Sequence, residues 1–365
     1  MNTVSDPLQS LKAGHWFKLI CGASFQDLPA IRSLTLAYTV AGADCIDVAA
    51  DPSVIAAAQE GIKAAQKWLN FSDNQGLSRK RNPWLMVSLN DGEDPHFRKA
   101  YFDPQRCPPD CPRPCEKICP AQAIIESEKG IFGVIDRRCY GCGRCLPLCP
   151  HQLIETRSHL VPPRDILPLI EPMGIDAMEI HTQVGREEQF RLLWEAIAPT
   201  VSQLKLLAIS CPDSPQLIEY LRYLYDLISP LPCPLIWQTD GRPMSGDIGK
   251  GTTHPTIKLA QKVLNSRIPG FVQLAGGTNH HTVPKLQEIG LLKTASSSSG
   301  VVAGVAYGSY GRSILSPILE QLENQSMSLN QPLILENYPD LLKEALKIAD
   351  SLVSPLKGNR ECLIS

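Results

Sequence analysis

CPPDCPRPCEKICP (residues 107–120) and CYGCGRCLPLCP (residues 139–150) together hold eight of the thirteen cysteines of the chain. In the second run, two residues separate each of the first three cysteines, and the fourth follows after three residues, directly before a proline. The first run has the same Cys-Pro ending, but three residues separate all its cysteines. Two matched runs of this kind predict a small module held together by metal more than by a hydrophobic core.

The spacing of the second run is that of bacterial ferredoxins, in which the cysteine before the proline binds the other cluster. The rule predicts two [4Fe–4S] clusters with crossed ligands. Residues 120–124 are the small, apolar continuation that packs against a cluster, and residues 131–136 are a predicted strand leading to the second run. The ligands of cluster one are Cys107, Cys111, Cys115 and Cys149, and those of cluster two are Cys139, Cys142, Cys145 and Cys119.

Two other uses of cysteine fit the pattern less well. A disulfide framework is typical of short secreted chains, whereas this chain has 365 residues and starts without the basic and apolar regions of a signal peptide. Zinc sites take four ligands as two pairs, which two runs ending in Cys-Pro do not provide. The wider spacing of the first run leaves open whether cluster one is [4Fe–4S] or [3Fe–4S], and it weakens the assignment of Cys107 most.

The composition narrows the classes of partner. The chain is 43% hydrophobic and 20% charged, as globular proteins are, and its net charge of −2 gives no reason to expect nucleic acid or an anionic membrane as a partner. No apolar run is long enough for a membrane span. Many cysteines without an export signal predict a reducing, cytoplasmic location, where thiolates are free to hold metal.

Short apolar runs alternate with amphipathic stretches on both sides of the cysteine-rich segment. The pattern predicts an α/β fold, a (β/α)8 TIM-like barrel with an inserted α+β ferredoxin-like domain. An open, doubly wound α/β sheet with the same insert is the alternative, but no glycine fingerprint follows the first strand. The predicted strands are 17–21, 45–49, 83–90, 176–182, 204–211, 234–240, 271–276 and 301–306, and the later helices include 165–173, 312–322 and 340–352.

Four segments follow from this interpretation. Residues 1–100 form the first part of the barrel, and residues 101–156 form the inserted two-cluster domain. Residues 157–326 form the second part of the barrel, and residues 327–365 form a C-terminal helical tail. Because sites in such barrels lie at the carboxyl ends of the strands, and the insert directly follows the third strand, we expect the clusters at or near the barrel mouth.

Glycine-rich loops follow the seventh and eighth strands, where barrels often bind phosphate through backbone N–H groups. The phosphate would belong to a flavin or to a phosphorylated substrate, although tight turns explain the same glycines. The loop over residues 239–253 is predicted to be either a mobile lid or an ordered loop against the insert. The candidate anion site comprises Gly276, Gly277, Gly308, Ser309, Gly311 and Arg312.

Polar residues in the predicted strands must contact either a ligand or other interior side chains. No nucleophile–base pair, HExxH motif or P-loop is present, so no catalytic residue is predicted. Cys21, Cys45, Cys233 and Cys362 are expected to act as small hydrophobes. The polar residues in question are Lys18, Asp47, Ser88, Asn90, His181, Cys211 and Asp240.

Sequence on both sides of the cysteine module resembles the light-dependent period (LdpA) family of photosynthetic bacteria. The stretches concerned are GHWFKLICGASFQDLPAIRSLTLAYTVAGADCIDVAADPSVI (residues 14–55) and QTDGRPMSGDIGKGTTHPTIKLA (residues 238–260). The resemblance implies an iron–sulfur protein that relays cellular redox state to the circadian clock. It implies clock input proteins as partners, including a histidine kinase and a core clock component, and it supplies no catalytic residues.

Three functions compete at this level. A redox sensor would change its affinity for a partner when the clusters change oxidation state, with a donor or acceptor of the electron-transport chain as a second partner. An oxidoreductase would hold a flavin or a phosphorylated ligand in the barrel and receive electrons from the clusters. The third function is a plain electron carrier, which would need only the two-cluster module and would not explain the other residues of the chain, about 300 in number. The barrel loops favour the enzyme, and the family resemblance favours the sensor.

Overall fold

The computed structural model describes residues 6–73, 82–94, 97–119, 121–126, 132–158, 162–242, 249–293, 300–329 and 332–357. Its strands are β1 (Trp16–Gly22), β2 (Cys45–Ala49), β3 (Trp84–Asn90), β4 (Arg98–Tyr101), β5 (Ile124–Glu126), β6 (Phe132–Val134), β7 (Glu155–Ser158), β8 (Ala177–His181), β9 (Leu206–Pro212), β10 (Leu235–Asp240), β11 (Phe271–Ala275) and β12 (Gly304–Tyr307).

The helices alternate with the barrel strands and cover the outside of the barrel. They are α1 (Pro7–Ala13), α2 (Leu28–Ala41), α3 (Pro52–Asp73), α4 (Pro114–Ile118), α5 (Pro163–Ile166), α6 (Glu187–Ile197), α7 (Leu217–Ile228), α8 (Thr253–Ser266), α9 (Thr282–Glu288), α10 (Ser309–Ser313), α11 (Ser316–Leu329) and α12 (Pro339–Lys357). None of the helices in the described part of the chain has the length and apolarity needed to cross a bilayer.

Eight parallel strands close into one barrel in the order β1-β2-β3-β8-β9-β10-β11-β12. The seam lies between β1 and β12, where Trp16 pairs with Gly304 and Leu19 with Tyr307. An open sheet has no such closing pair. The TIM-like barrel is therefore confirmed, and the doubly wound alternative is wrong. The observed strand ends lie close to the predicted ones, and the last strand differs most because it begins at Gly304 instead of residue 301.

The amino end of the barrel is filled by an apolar layer. Trp16, Trp84 and Met86 are buried there with small and aliphatic residues of β8, β9 and β10. Helix α1, which the sequence pattern did not predict, places Leu11 in the same layer. Gly304 is required at the seam because a Cβ atom there would lie 1.9 Å from the carbonyl oxygen of Trp16.

Two predicted helices differ from the observed ones. The helix expected over 165–173 is a four-residue helix, α5, followed by a 3₁₀ turn at Leu167–Leu169. Pro168 explains this, since it lacks the N–H that a longer helix would use. The helix expected over 312–322 is instead divided into α10 and α11.

The last helix belongs to the outer layer of the barrel. Helix α12, which lies within the predicted tail, contacts α2, β1 and α11. At its end, the buried Lys357 donates to the carboxylate of Asp44, which precedes β2. Asp44 Oδ2 also accepts hydrogen bonds from Phe17 N at 2.7 Å and from Ser10 Oγ at 3.0 Å. One buried carboxylate thus joins α1, β1, β2 and α12.

The inserted module leaves the barrel after β3 and returns before α5. Its entry and exit are paired as antiparallel strands, with Arg98 of β4 opposite Ser158 of β7. A second antiparallel pair, β5 and β6, joins Ile124 to Val134. The module has its own apolar cluster, which includes Phe102, Phe132 and several of the cysteines. The predicted insert, residues 101–156, is slightly shorter than the observed module, which begins with β4 at Arg98 and ends with β7 at Ser158.

Replacing Asp44 by alanine is expected to lower the free energy of unfolding by about 3–5 kcal/mol, because the Lys357 ammonium then stays buried without its counter-charge. Urea unfolding under anaerobic conditions, followed by tryptophan fluorescence, measures the loss. The control is Asp213→Ala at the exposed pair with Lys262, whose N–O distance is 2.8 Å. That change is expected to cost about 1 kcal/mol or less. Equal losses in the two variants would contradict the role of Asp44.

Candidate iron–sulfur centre

The structure sorts the eight module cysteines into two sets of neighbours. Electrostatic contacts join Cys107 to Cys111 and Cys149, and they join Cys115 to Cys107 and Cys149. A second set joins Cys119 to Cys139, Cys142 and Cys145. These sets coincide with the two ligand sets expected from the spacing. The chain therefore brings each Cys-Pro cysteine to the other run, although iron binding by each individual cysteine stays a prediction.

The four cysteines of the second set line one cavity that is partly open to solvent. Small and apolar residues complete its wall, among them Ala100, Ala123 and Ile124. In the described part of the chain, no three His, Cys, Asp or Glu residues are arranged to hold a metal ion. The cavity that the four cysteines line is the place where a cluster is predicted.

Two matched turns fix the cysteines that precede the prolines. Gln122 and Gln152 each follow such a cysteine by three residues, and both have left-handed backbone angles, with φ of 47° and 52°. The next amide in each turn donates to the cysteine: Ala123 N lies 3.2 Å from Cys119 Sγ, and Leu153 N lies 3.3 Å from Cys149 Sγ. This repeat was not predicted, although Cys-Pro-x-Gln occurs at both places in the sequence.

Further backbone amides point at cluster-two sulfurs. Ala100 N, in β4, donates to Cys139 Sγ at 3.3 Å, and Gly141 N donates to the same sulfur. Gly141 and Gly143 have φ of 71° and 75°, a conformation that glycine adopts without a steric penalty. N–H donors to sulfur stabilise negative charge and tune cluster potentials. The first strand of the module therefore takes part in the site.

The protonation energetics fit a metal cluster. Burial, followed by the neighbouring Cys142, Cys139 and Cys119, raises the pKa of the Cys145 thiol to about 12. Burial is also the main cause that raises the pKa values of the Cys139 and Cys142 thiols, so their ionised forms need a compensating positive charge. Iron bound in the cavity would supply that charge and deprotonate them. The small apolar wall, the amide donors and the grouped thiols are thus a donor set that suits an iron–sulfur cluster.

The module rests on the carboxyl end of the barrel through several polar contacts. Lys99 Nζ lies 2.6 Å from Gln26 Oε1 of the β1–α2 loop and 3.0 Å from Asp136 Oδ2. Arg138 Nη2 lies 2.8 Å from Glu323 of α11. The Arg312 guanidinium lies 4.0 Å from the centre of the Tyr140 ring. The clusters are therefore predicted at the barrel mouth, on the side where β1 and β12 close the barrel.

A buried polar network fills the middle of the barrel. Lys18 is fully buried and pairs with two carboxylates, Glu179 and Asp47, the latter at 3.2 Å. His181 Nε2 lies 2.9 Å from Glu179, and Ser88 Oγ donates to Asp47 at 2.8 Å. Interior partners thus satisfy most of the polar strand residues found in the sequence. Glu179 was missed, although its place between apolar neighbours in β8 was a signal of the same kind.

The charges of this network stabilise one another. Burial disfavours the charge on Lys18, but Asp47 and Glu179 outweigh it and raise the pKa of Lys18 above its ordinary value. Burial raises the pKa of Asp47, whereas Lys18 and His181 overcome burial and lower the pKa of Glu179. A lysine held in its charged form is a poor nucleophile. The Phe97 and His181 rings are nearly perpendicular, with ring centres 5.3 Å apart.

The glycine loops are packed against their own chain. A Cβ atom on Gly276 would lie 1.7 Å from Asp240 Oδ1, and one on Gly277 would lie 2.6 Å from the Thr252 carbonyl oxygen. Thr252 Oγ1 donates to the Gly277 carbonyl at 2.7 Å, and Asn279 Nδ2 donates to the Gly249 carbonyl at 2.8 Å. Close packing accounts for these two glycines, and the anion site stays a prediction.

The other members of the predicted anion site lie beside β1. Gly308 and Gly311 face Ile20 and Leu19, and Arg312 donates to the Ile20 carbonyl oxygen. In the predicted lid, the described residues 249–253 contact the β11–α9 loop, while residues 243–248 lie outside the described part. Of the four cysteines expected to act as small hydrophobes, Cys21 and Cys45 are buried and Cys233 is half-buried. The fourth, Cys362, lies outside the described residues.

Comparison with known proteins gives matches along most of the chain. The family model described as the light dependent period A C-terminal domain matches residues 169–355, and the model of the LdpA Fe-S cluster-binding domain matches residues 107–160. Light dependent period A of Synechococcus elongatus is 52% identical over 355 residues, which cover 97% of this chain and 95% of that protein.

Other matches are shorter or more distant. A tetrathionate reductase subunit of Salmonella typhimurium is 45% identical over 38 residues, which are 10% of this chain and 15% of that protein. The tryptophan synthase alpha subunit of Legionella pneumophila aligns over 98% of this chain and 99% of its own, at 10% identity and a TM-score of 0.40, a likeness too weak to carry an argument. The long match and the two family models show that the chain belongs to the light dependent period A (LdpA) family and carries its iron–sulfur cluster-binding domain.

Proposed function

We propose that the protein binds two [4Fe–4S] clusters and acts as a redox sensor that relays cellular redox state to the circadian clock. The observation that carries the proposal is the sorting of eight cysteines into two sets of four, with the second set around a cavity. Both sets have the same Cys-Pro-x-Gln turn, so a full cluster is proposed for the first set despite its wider spacing.

The residues of the chain have separate tasks in this proposal. The eight cysteines would hold the clusters, which supply one-electron chemistry when bound. Backbone amides of Ala100, Ala123 and Leu153 stabilise the negative charge on the sulfurs. Cys107, Cys111 and Cys149 are half-buried, so the first set lies within reach of an external electron donor or acceptor of the electron-transport chain. The second set is tied to the barrel through Tyr140 and Arg312.

The clock relay rests on the family. The Synechococcus relative is named for a light-dependent period, which supports a role that joins illumination to timing. We take the partners to be clock input proteins, including a histidine kinase and a core clock component, which would bind a surface that depends on the redox state of the module. The location consistent with these partners is the cytoplasm.

No described feature favours the oxidoreductase alternative. The lysine in the barrel is paired and buried, His181 is buried and contacts Phe97, and the glycines after β11 are packed against Asp240 and Thr252. The hypothesis of a flavin or a phosphorylated ligand in the barrel is therefore supported by the glycine pattern of the loops alone. We propose a sensing role for the barrel platform and assign no catalytic residue to it.

Cys145→Ser is expected to remove most of cluster two, and with it about half of the iron, because one of its four thiolates is lost. The barrel is expected to stay folded, since its core is separate from the module cluster that contains Cys145. Iron and acid-labile sulfide analysis after anaerobic purification, with far-ultraviolet circular dichroism for the fold, measures both effects.

Two further variants make this test specific. Cys119→Ser is expected to abolish the same electron paramagnetic resonance signal as Cys145→Ser, whereas Cys149→Ser is expected to abolish the other one. Cys233→Ser, a half-buried cysteine outside the module, is the control and is expected to keep all the iron. If Cys149→Ser abolished the same paramagnetic signal as Cys145→Ser, the crossed assignment would be wrong.

The affinity for a clock input partner is expected to differ at least about fivefold between the oxidised and reduced protein, which is the lower end of allosteric coupling. Surface plasmon resonance against the immobilised histidine kinase, in buffers poised at two potentials, measures this ratio. The Cys145→Ser variant serves as the control and is expected to show a smaller ratio. Equal affinities at the two potentials would remove the sensor from consideration and leave an electron carrier.

A further inference from the structure

Arg312 is a buried cation whose hydrogen-bond acceptors are neutral. Its side chain lies almost entirely inside the protein, with the residue only 8% exposed. Nη1 donates to the Ile20 carbonyl at 2.7 Å, and Nη2 lies 3.3 Å from Ser309 Oγ. Nε is buried, and within the described residues it has no hydrogen-bond partner and the guanidinium has no ion pair. A guanidinium stays charged at any physiological pH, so this arrangement buries a positive charge with no carboxylate in direct contact, although Asp27, Glu320 and Glu323 line the same cavity as Arg312.

The Arg312 guanidinium contacts the cluster-two side of the module. The guanidinium carbon lies 4.0 Å from the centre of the Tyr140 ring, within cation–π range. Tyr140 stands between Cys139 and Cys142 and lines the cavity that the second cysteine set surrounds. Four thiolates around an iron–sulfur core carry net negative charge, and reduction adds one electron more. The place where the barrel holds a buried positive charge is therefore next to the place where negative charge is predicted.

We propose that Arg312 is the barrel's charge contact with cluster two, through which the redox state of that cluster and the conformation of the barrel mouth influence each other. The proposal rests on the two-cluster function given above. A fixed positive charge beside the cavity favours the more negative, reduced state. This role differs from the phosphate binding predicted for Arg312, since here the anion is the cluster itself.

The contacts of Arg312 identify the part of the barrel that responds. Ile20 lies in β1, and Ser309 begins α10, directly after β12. Arg312 therefore spans the seam at which the barrel closes. Coupling between two sites is reciprocal, so if this seam affects the reduction of cluster two, reduction must affect the seam equally. The surface that changes with redox state is then the β12–α10 loop together with the end of β1.

The module contains a matched arginine for comparison. Arg113 also lies over an aromatic ring, with its guanidinium carbon 4.3 Å from the centre of Phe132. It is a neighbour of Cys107, in the first cysteine set, and it forms an ion pair with Glu126 at 2.6 Å. Arg113 thus has a similar ring contact and a similar charge, but its charge is paired and lies on the cluster-one side.

The test is a redox titration of the holoprotein, with each cluster followed by electron paramagnetic resonance. Arg312→Gln is expected to lower the ratio of reduced to oxidised cluster two about tenfold at a fixed potential, a shift of about 59 mV for a one-electron couple. Cluster one is expected to keep its potential. Arg312→Lys preserves the charge and is expected to stay near the wild-type value, and Arg113→Gln is expected to leave cluster two unchanged.

Hydrogen exchange on the unmodified protein provides a second test that needs no variant. The amides of residues 308–312 are expected to exchange at least about threefold more slowly in the reduced protein, because reduction strengthens the attraction that holds Arg312. Full iron content with an unchanged cluster-two potential in Arg312→Gln would overturn the inference, as would equal exchange in both redox states. Missing iron in the unmodified protein would instead count against the two-cluster function.

Discussion

Charge compensation among grouped thiols is the constraint on which the module depends. Cys119, Cys139, Cys142 and Cys145 line one cavity, and burial, followed by the three neighbouring thiols, makes ionisation of Cys145 costly without metal. The backbone meets this constraint with donors: Ala100 N and Ala123 N each point at a sulfur. Besides these donors, the described part of the module contains short strands and a small apolar cluster. A metal-bound core is therefore expected to contribute directly to its folding, as in other small metal-containing domains.

The barrel supplies what the module lacks, a rigid platform. Its amino end is closed by an apolar layer and by the buried Asp44–Lys357 pair, and its middle is closed by the Lys18 network. The carboxyl end, where barrels usually hold their ligands, instead receives the module through Lys99, Tyr140 and Arg138. In this account the usual active-site face of the fold has become the docking face of a redox module.

Much of this arrangement could be predicted from the sequence because it depends on local patterns. The eight strands follow from short apolar runs, and the cysteine sets follow from ferredoxin spacing with crossed ligands. The parts that were missed depend on contacts distant in sequence. Helix α1 packs into the barrel end through Leu11, and the position of Arg312 depends on the Tyr140 ring, 172 positions away in the chain. Helix α12 was predicted, but the contact of its Lys357 with Asp44 was not. Gly276 illustrates the same limit, since a loop glycine predicts phosphate binding and close packing equally well.

The central claim, that one chain holds two four-iron clusters and no organic redox cofactor, is tested most directly by cofactor content after strictly anaerobic purification. Iron, acid-labile sulfide and released flavin would be measured per polypeptide on the same sample. The account predicts about eight irons and about eight sulfides, with no flavin. About four irons would contradict it by showing that the first cysteine set holds no full cluster. Stoichiometric flavin would contradict it by showing that the barrel mouth is an active site.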